Sequence, residues 1–342
     1  MYLSLPMSLS PILTSAAFAP IQNVGWIRVT GSDRVRWLNG MVTNNIQGLK
    51  PGEGCYNFFL NAQGRIQGDA TALMLEDSIL LETAADRIPA LMAMLDHFII
   101  MDDVELAPLD HRVGLLLVGP DSSALLAALD VCTDPVNPLE LVDVKWHSAS
   151  IDLIRAHSDL VPRFEFWSDA AAIGLLSESL KSAGAIEATP EDLEQLRILE
   201  GTPLYGIDIR NTETAKDLPQ ETAQTRALHF TKGCYLGQEI VERIRSRGNV
   251  HRTFSGFILT GDLPVPGTIL TSEDKPVGEL TSVTSLSSQL IADSSKLSDT
   301  APKQVALGYI RREALDRGAT ITYPGGTATP SALPFQLPES RA

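Results

Sequence analysis

The sequence predicts an α+β protein in which two strand-and-helix units are followed by a small all-β barrel. Three observations carry this. Short runs with period-two alternation recur between turns rich in Gly, Asp and Asn, and amphipathic helices separate those runs. After Arg252 the helical patterning stops while short strands continue. Strands and helices that alternate twice in succession fit paired units of split β-α-β type.

Each element follows in order. Residues 1–20, MYLSLPMSLSPILTSAAFAP, are apolar but carry no Lys or Arg, so the basic region of a secretory signal is missing. They are expected to be a disordered start, with Met7 a candidate initiator. The first unit is expected over 21–108. VGWIRVT reads as a strand, GSDR as a turn and VRWLNGM as a short helix. NFFLNAQGRIQGDATALML reads as strand, turn and strand, and ILLET as another strand. ADRIPALMAMLDHFI places Ile88, Leu91, Met92, Leu95 and Phe98 on one helical face, and the strand DVELAP follows. The second unit is expected over 109–252, with segments able to cross between the two. It runs through the strand VGLLLVG, the helix DSSALLAALD, strands around VKWHSASIDLIRA and RFEFW, and the helix AAAIGLLSESLKSAG. TPEDLEQLRILEG then carries its own start and stop: Thr189 as N-cap, Pro190 at the first position, Asp192 three residues after the cap, and Gly201 at the end. The barrel is expected over 253–325, interrupted by the polar stretch SLSSQLIADSSKLSDTAPK, read as a mobile loop. Residues 326–342 are expected to be a disordered tail.

Composition excludes several function classes. A formal charge of −15 argues against binding nucleic acid over a broad face. No apolar run approaches the roughly 20 residues of a membrane helix. Cys55, Cys132 and Cys234 are too few and too far apart for a disulfide framework, which suits a reducing cytosol. Pairs of the type C-x-x-C or H-x-x-x-H are missing, as are G-x-S-x-G, the P-loop and G-x-G-x-x-G.

What remains is TKGCYLGQEIVERIRSRGNVHR. A helix starting near Gly237 or Gln238 puts Ile240, Val241 and Ile244 on one face, with Gly248 as a left-handed cap. Cys234 then lies just ahead of the helix N-terminus, two residues after Lys232, and both influences favour a thiolate. A small buried packing residue is the alternative. The basic segment of Arg226, Lys232, Arg243, Arg245, Arg247 and Arg252 either is in part a solvated helix end or supplies an anion site for phosphates or carboxylates. Trp26 is either core or a stacking face for a planar ligand.

RILEGTPLYGIDI, LPQET and TKGCYLGQEIVERIRSRG together resemble the YgfZ-like folate-binding proteins, relatives of the glycine-cleavage T-protein. The resemblance extends more loosely to VGWIRVTGSDRVRWLNGMVTNNI, LNAQGRI and LDHFII…DDVEL, and spans about residues 24 to 325. It implies ferredoxin-like folate-binding units around a central channel plus a C-terminal small β-barrel. It also implies tetrahydrofolate or a folate derivative as cofactor, and a link to iron–sulfur protein maturation and through it to tRNA modification. Lys232, Gly233, Cys234, Tyr235, Gly237, Gln238 and Glu239 match the family motif, with Cys234 its functional thiol, and Trp26 corresponds to a tryptophan of the folate pocket. Two departures stand out. Relatives often read R-I-E-A-G where this chain has Arg197-Ile198-Leu199-Glu200-Gly201, which turns the pterin-binding carboxylate by about 100° on a helix. T-protein has an acidic pair where this chain keeps only Asp69, after Gln67 and Gly68.

The expected function is therefore a cytoplasmic tetrahydrofolate-binding accessory protein for iron–sulfur cluster assembly or repair. Trp26 and Glu200 would meet the folate, Arg243 or Arg247 its glutamate end, with Tyr235, Gln238 and Glu239 nearby, and Cys234, Lys232 and Asp69 would carry the chemistry. The alternative is a folate-dependent transferase moving a methyl or aminomethyl group, with Asp69 as its acid. Iron–sulfur proteins or their assembly machinery are the expected partners, and the net charge disfavours direct tRNA binding.

Overall fold

The computed structural model describes residues 10–131, 136–213, 216–248, 250–286 and 304–336. The question of Met1 against Met7, the position of Cys132, most of the polar stretch after Ser285 and the side chain of Arg247 lie outside the described residues. In chain order the first elements are α1 (Ser10–Thr14), β1 (Ala17–Pro20), β2 (Val24–Thr30), α2 (Arg34–Met41), β3 (Gly54–Leu60), β4 (Ile66–Met74), β5 (Ile79–Ala84), α3 (Ile88–Asp96) and β6 (Glu105–Leu109). Then come β7 (Val113–Val118), α4 (Ser122–Ala128), β8 (Leu141–Trp146), β9 (Ala149–Arg155), β10 (Arg163–Ser168), α5 (Ala170–Ser182), β11 (Ile186–Glu187), α6 (Pro190–Glu200) and α7 (Gln238–Arg247). The last group is β12 (Arg252–Gly261), β13 (Ile269–Ser272), β14 (Lys275–Ser285), β15 (Gln304–Arg311), α8 (Arg312–Asp316), β16 (Thr322–Tyr323) and β17 (Gly326–Ser331).

These strands make two open sheets and a barrel. The first sheet has the order β3-β4-β5-β2-β6 and the second β11-β1-β7-β10-β9-β8. Period-two alternation gives each sheet two different faces. In β2, Ile27 and Val29 join the core formed with Leu91 and Leu95 of α3, while Trp26 points the other way. In the second sheet Leu117, Phe164 and Phe166 pack on Ile173, Leu176 and Leu180 of α5. The two remaining faces meet each other: Trp26, Leu73 and Leu80 of the first sheet pack on Leu141, Ile154 and Trp167 of the second.

Chain order and sheet membership differ at the start. β1 lies in the second sheet, antiparallel to β7 and parallel to β11, and Ile12, Ala17 and Phe18 are buried. The expected disordered start is therefore corrected for residues 10–20: their apolar side chains fill the second unit's core.

α6 begins with the capping box of Thr189 and Asp192 and ends at Gly201 in the left-handed region, as its sequence signals require. Its Leu196, Ile198 and Leu199 bridge the second sheet to Phe254, Leu307 and Tyr309 of the barrel. The barrel closes in the order β12-β15-β14-β13-β16-β17, with β17 antiparallel to β12. The expected disordered tail is thus also corrected: Gly326–Ser331 is the closing strand, and beyond it Phe335 N–H donates to the Leu199 carbonyl at 2.8 Å.

Candidate functional site

Two glycines from distant segments bring the first sheet and the TKGCYLGQE turn together. Gly237, the residue before α7, has φ 82°. A Cβ there would lie 2.6 Å from the Asn61 carbonyl oxygen, and one on Gly64 would lie 2.8 Å from Ile240 Cβ. The β3–β4 turn and the start of α7 therefore cross backbone against backbone, which only glycine permits. The Asn61 side chain shapes that turn by accepting from the Gln63 and Arg65 amides, each at 3.0 Å.

Cys234 is exposed on the outer side of this turn. The reading of it as a buried packing residue is thereby set aside. Lys232 does something other than expected. Its Nζ is buried and donates to the Asn39 carbonyl at 2.6 Å, the Val42 carbonyl at 2.7 Å and the Asn44 carbonyl. Burial lowers this ammonium to about 8, and Cys55, not Cys234, is the charge partner it senses. Lys232 thus ties the turn to the end of α2 and is a positioning group. Tyr235 is likewise structural, packed among Phe58, Leu60, Ile209 and Val241, with burial pushing its phenol up to about 12. Gln238 is half-buried in the first turn of α7, while Glu239 is exposed and pairs with Arg243 at 2.7 Å. Glu239 and Arg243 therefore satisfy each other on the surface.

A second group of polar side chains lies between the two sheets. Register places Tyr56, Thr71, Glu82 and Trp26 in one cross-strand row on the inner face of the first sheet. Opposite them, Arg163, Glu165 and Trp167 share the inner face of β10 at period two. Trp26 and Trp167 meet edge to face with centroids 5.2 Å apart, and the Arg112 guanidinium lies 5.1 Å from the centre of the Trp26 ring. Trp26 is 1% exposed, so it offers no open stacking face, only an indole N–H. The Nε1 atoms of both tryptophans, Glu165 Oε2 and Arg163 Nε are buried without a partner. Glu82 is held well above the usual carboxylate range, first by burial and then by the neighbouring Glu165.

Asp69 lies on the same face of β4, two residues before Thr71. Tyr56 Oη donates to its Oδ2 at 2.6 Å, and burial raises the carboxyl despite that bond. It also lines a pocket of about 250 Å³ with Gln67, Thr83, Arg87, Tyr205 and Asn211. The Arg226 guanidinium stands 4.4 Å from the Tyr56 ring centre and feels the charges of Asp159, Asp69 and Glu200. Glu200, despite its one-place shift, turns inward: it is 4% exposed, accepts from the Ser158 hydroxyl, and is raised by burial against the pull of Arg163. Asp69, Glu200 and Trp26 thus join one inter-sheet cluster, whereas Cys234, Glu239 and Arg243 stand apart from it on the surface.

Sequence reasoning missed Tyr56, Glu82, Ser158, Arg163 and Glu165, and read Arg226 only as part of a basic segment. One signal was present, since RFEFW puts Arg163 and Glu165 on a single strand face, which is unusual for an inward one. Among the described residues no group of His, Cys, Asp and Glu is placed to hold a metal ion, and no helix is long and apolar enough to cross a membrane.

Comparison with known proteins agrees with this architecture. The solved aminomethyltransferase T of the glycine cleavage system from Bartonella henselae superposes with a TM-score of 0.81 at 21% identity, covering 96% of this chain and 88% of that one. Among curated proteins, the tRNA-modifying protein YgfZ of Escherichia coli O157:H7 is 28% identical over 236 residues, 68% of each chain. The iron–sulfur cluster assembly factor IBA57 homolog of Neurospora crassa, a mitochondrial protein, is 28% identical over 242 residues. That match covers 68% of this chain but only 51% of the relative's length. The model of the GCVT N-terminal domain matches residues 12–223, more than half of the chain. With its two sheets, closing barrel and KGCYLGQE turn, the chain belongs to the GCVT N-terminal domain family as a YgfZ-like relative of T-protein.

Proposed function

We propose that this protein binds tetrahydrofolate between its two sheets and serves as an accessory factor in iron–sulfur cluster assembly or repair, in a reducing compartment. The observation that carries the proposal is the set of unmet polar atoms at the sheet interface: two indole N–H donors, one carboxylate oxygen and one guanidinium nitrogen. Buried polar groups are almost always paired, so four orphans on facing strands point to a polar ligand or water held there. A pterin fits their chemistry, because its ring edge carries both donors and acceptors. Glu200 and Glu165 would take up donor positions, and the guanidinium of Arg226 would face an acceptor. When bound, the folate supplies a one-carbon carrier. The chain's own part is to orient the ring, hold the Asp69 carboxyl raised by burial and fixed by Tyr56, and exclude water.

Cys234 is the second half of the reading. It is exposed at a turn fixed by Lys232 and by the Gly64–Gly237 crossing, which suits a thiol that meets another protein or its sulfur cargo. The names of the YgfZ and IBA57 relatives support this direction. Equilibrium dialysis with tetrahydrofolate, combined with the Trp26→Phe and Trp167→Phe variants, tests the first half. Saturable binding to the wild type is expected, and no binding to well-folded protein overturns it.

One feature favours a second reading. Asp69 combines a raised carboxyl with a Tyr56 hydrogen bond, as a proton donor to a folate nitrogen would need. Turnover of a small methylamine that vanishes in Asp69→Asn would establish folate-dependent transfer. Indifference to that change would leave the accessory role.

A further inference from the structure

The far end of α7 opens on a groove of about 670 Å³ whose lining includes His251, Arg311, Arg312, Glu313, Asp316 and Arg317. Arg252 lies in it as well and is the direct cross-strand partner of Arg311. Like charges placed opposite each other across two strands repel unless something neutralises them. Arg252 is neutralised from behind by Asp217 and Glu221, the latter at 3.1 Å, and Arg317 pairs with Glu313. Arg311 and Arg312 have no carboxylate partner among the described residues. The Arg312 guanidinium only donates to the Gly248 carbonyl, at 3.4 Å. Two adjacent exposed guanidinium groups, with an exposed imidazole beside them, are thus left uncompensated in a chain of net charge −15.

We propose that this groove binds a small oligoanion, a ligand presenting two or more phosphate or carboxylate groups close together. Arg311 and Arg312 take the anionic groups in bidentate fashion, and His251 lines the approach. Glu313 and Asp316 lie in the same groove, which limits the ligand to a compact one. An extended nucleic-acid backbone would meet their charges and those of the acidic surface beyond. The proposal is independent of folate binding between the sheets.

Calorimetric titration of the full chain at low salt, with inorganic tripolyphosphate in one arm and tetraglutamate in the other, tests it. One-site binding of at least one probe is expected, and the arm that binds identifies phosphate or carboxylate as the recognised group. The double variant Arg311→Ala/Arg312→Ala should lose about tenfold or more in affinity with an unchanged circular dichroism spectrum. Asp316→Asn should bind more tightly, and Arg28→Ala, on the first sheet, should bind as the wild type does. No saturable heat with either probe, or equal affinity in the double variant, overturns the proposal. So does a transfer RNA that binds well above both probes through the same two arginines, since the ligand would then be a nucleic acid.

Discussion

Lys232 and Cys234 stand two residues apart and face opposite ways, and their substitutions should part accordingly. The Lys232 ammonium holds three carbonyls at the end of α2, two of them at 2.6 and 2.7 Å. Replacing it with Met removes a charged donor and leaves those acceptors buried, at a cost of about 3 kcal/mol or more. A lower denaturant midpoint with an unchanged slope would show this. Cys234 is exposed, so Cys234→Ser should stay within about 0.5 kcal/mol of the wild type. If the thiol carries the function, activity of iron–sulfur enzymes in cells should nevertheless fall with Cys234→Ser while the purified protein melts normally. The sequence suggested a reactive cysteine helped by a neighbouring lysine. The lysine's true partners lie about 190 positions earlier, and no local pattern marks a contact of that range.

The elements succeed or fail by their faces. β5 and β10 each carry an acidic residue inward, and Glu82 and Glu165 meet across the inter-sheet space. Glu82 is a raised carboxyl, so the sign runs against the usual carboxylate case. Below the unfolded value of about 4.3 both states hold the proton and the site adds no pH dependence. As pH rises above that value, the unfolded chain ionises first while the folded Glu82 carboxyl keeps its proton longer, and stability is lost. Glu82→Gln keeps a donor for Glu165 and removes the like charge. It should stabilise the protein by about 1 kcal/mol or more at pH 8, with the difference vanishing toward pH 4. Thermal melts of both proteins across that range check the sign. Periodicity identified the strands between β2 and β16 that alternate most clearly, and α6 with its capping box, because those signals are local. Which face turns inward, and what it meets there, depends on the other sheet, and Glu165 lies about 80 positions after Glu82, so their contact left no local trace.

At the scale of the whole molecule, closure decides what composition could not. GGTATPSALPFQLPESRA reads as disordered because it is rich in Gly, Pro and small polar residues. Yet six of its residues form β17, which pairs with β12 from Gly256↔Ser331 to Gly261↔Gly326 and so removes both free edges of the barrel. Beyond it the chain turns back over α6: a Cβ on Gly201 would lie 2.7 Å from Leu333, and Phe335 is 5% exposed among Leu199, Phe254 and Tyr309. The same helix carries Glu200, so the end of the chain braces the carboxylate that reaches the inter-sheet cluster. Phe335→Ala should cost about 3 to 5 kcal/mol, as other deletions of a buried aromatic ring do. If the bracing is real, the variant should also weaken tetrahydrofolate binding at temperatures where the protein remains fully folded. A chain ending at residue 325 should lose the barrel outright, showing early hydrogen exchange throughout β12 and a tendency to associate through its exposed edge. Wild-type protection of β12 in that shortened chain would mean that β17 decorates the barrel without closing it.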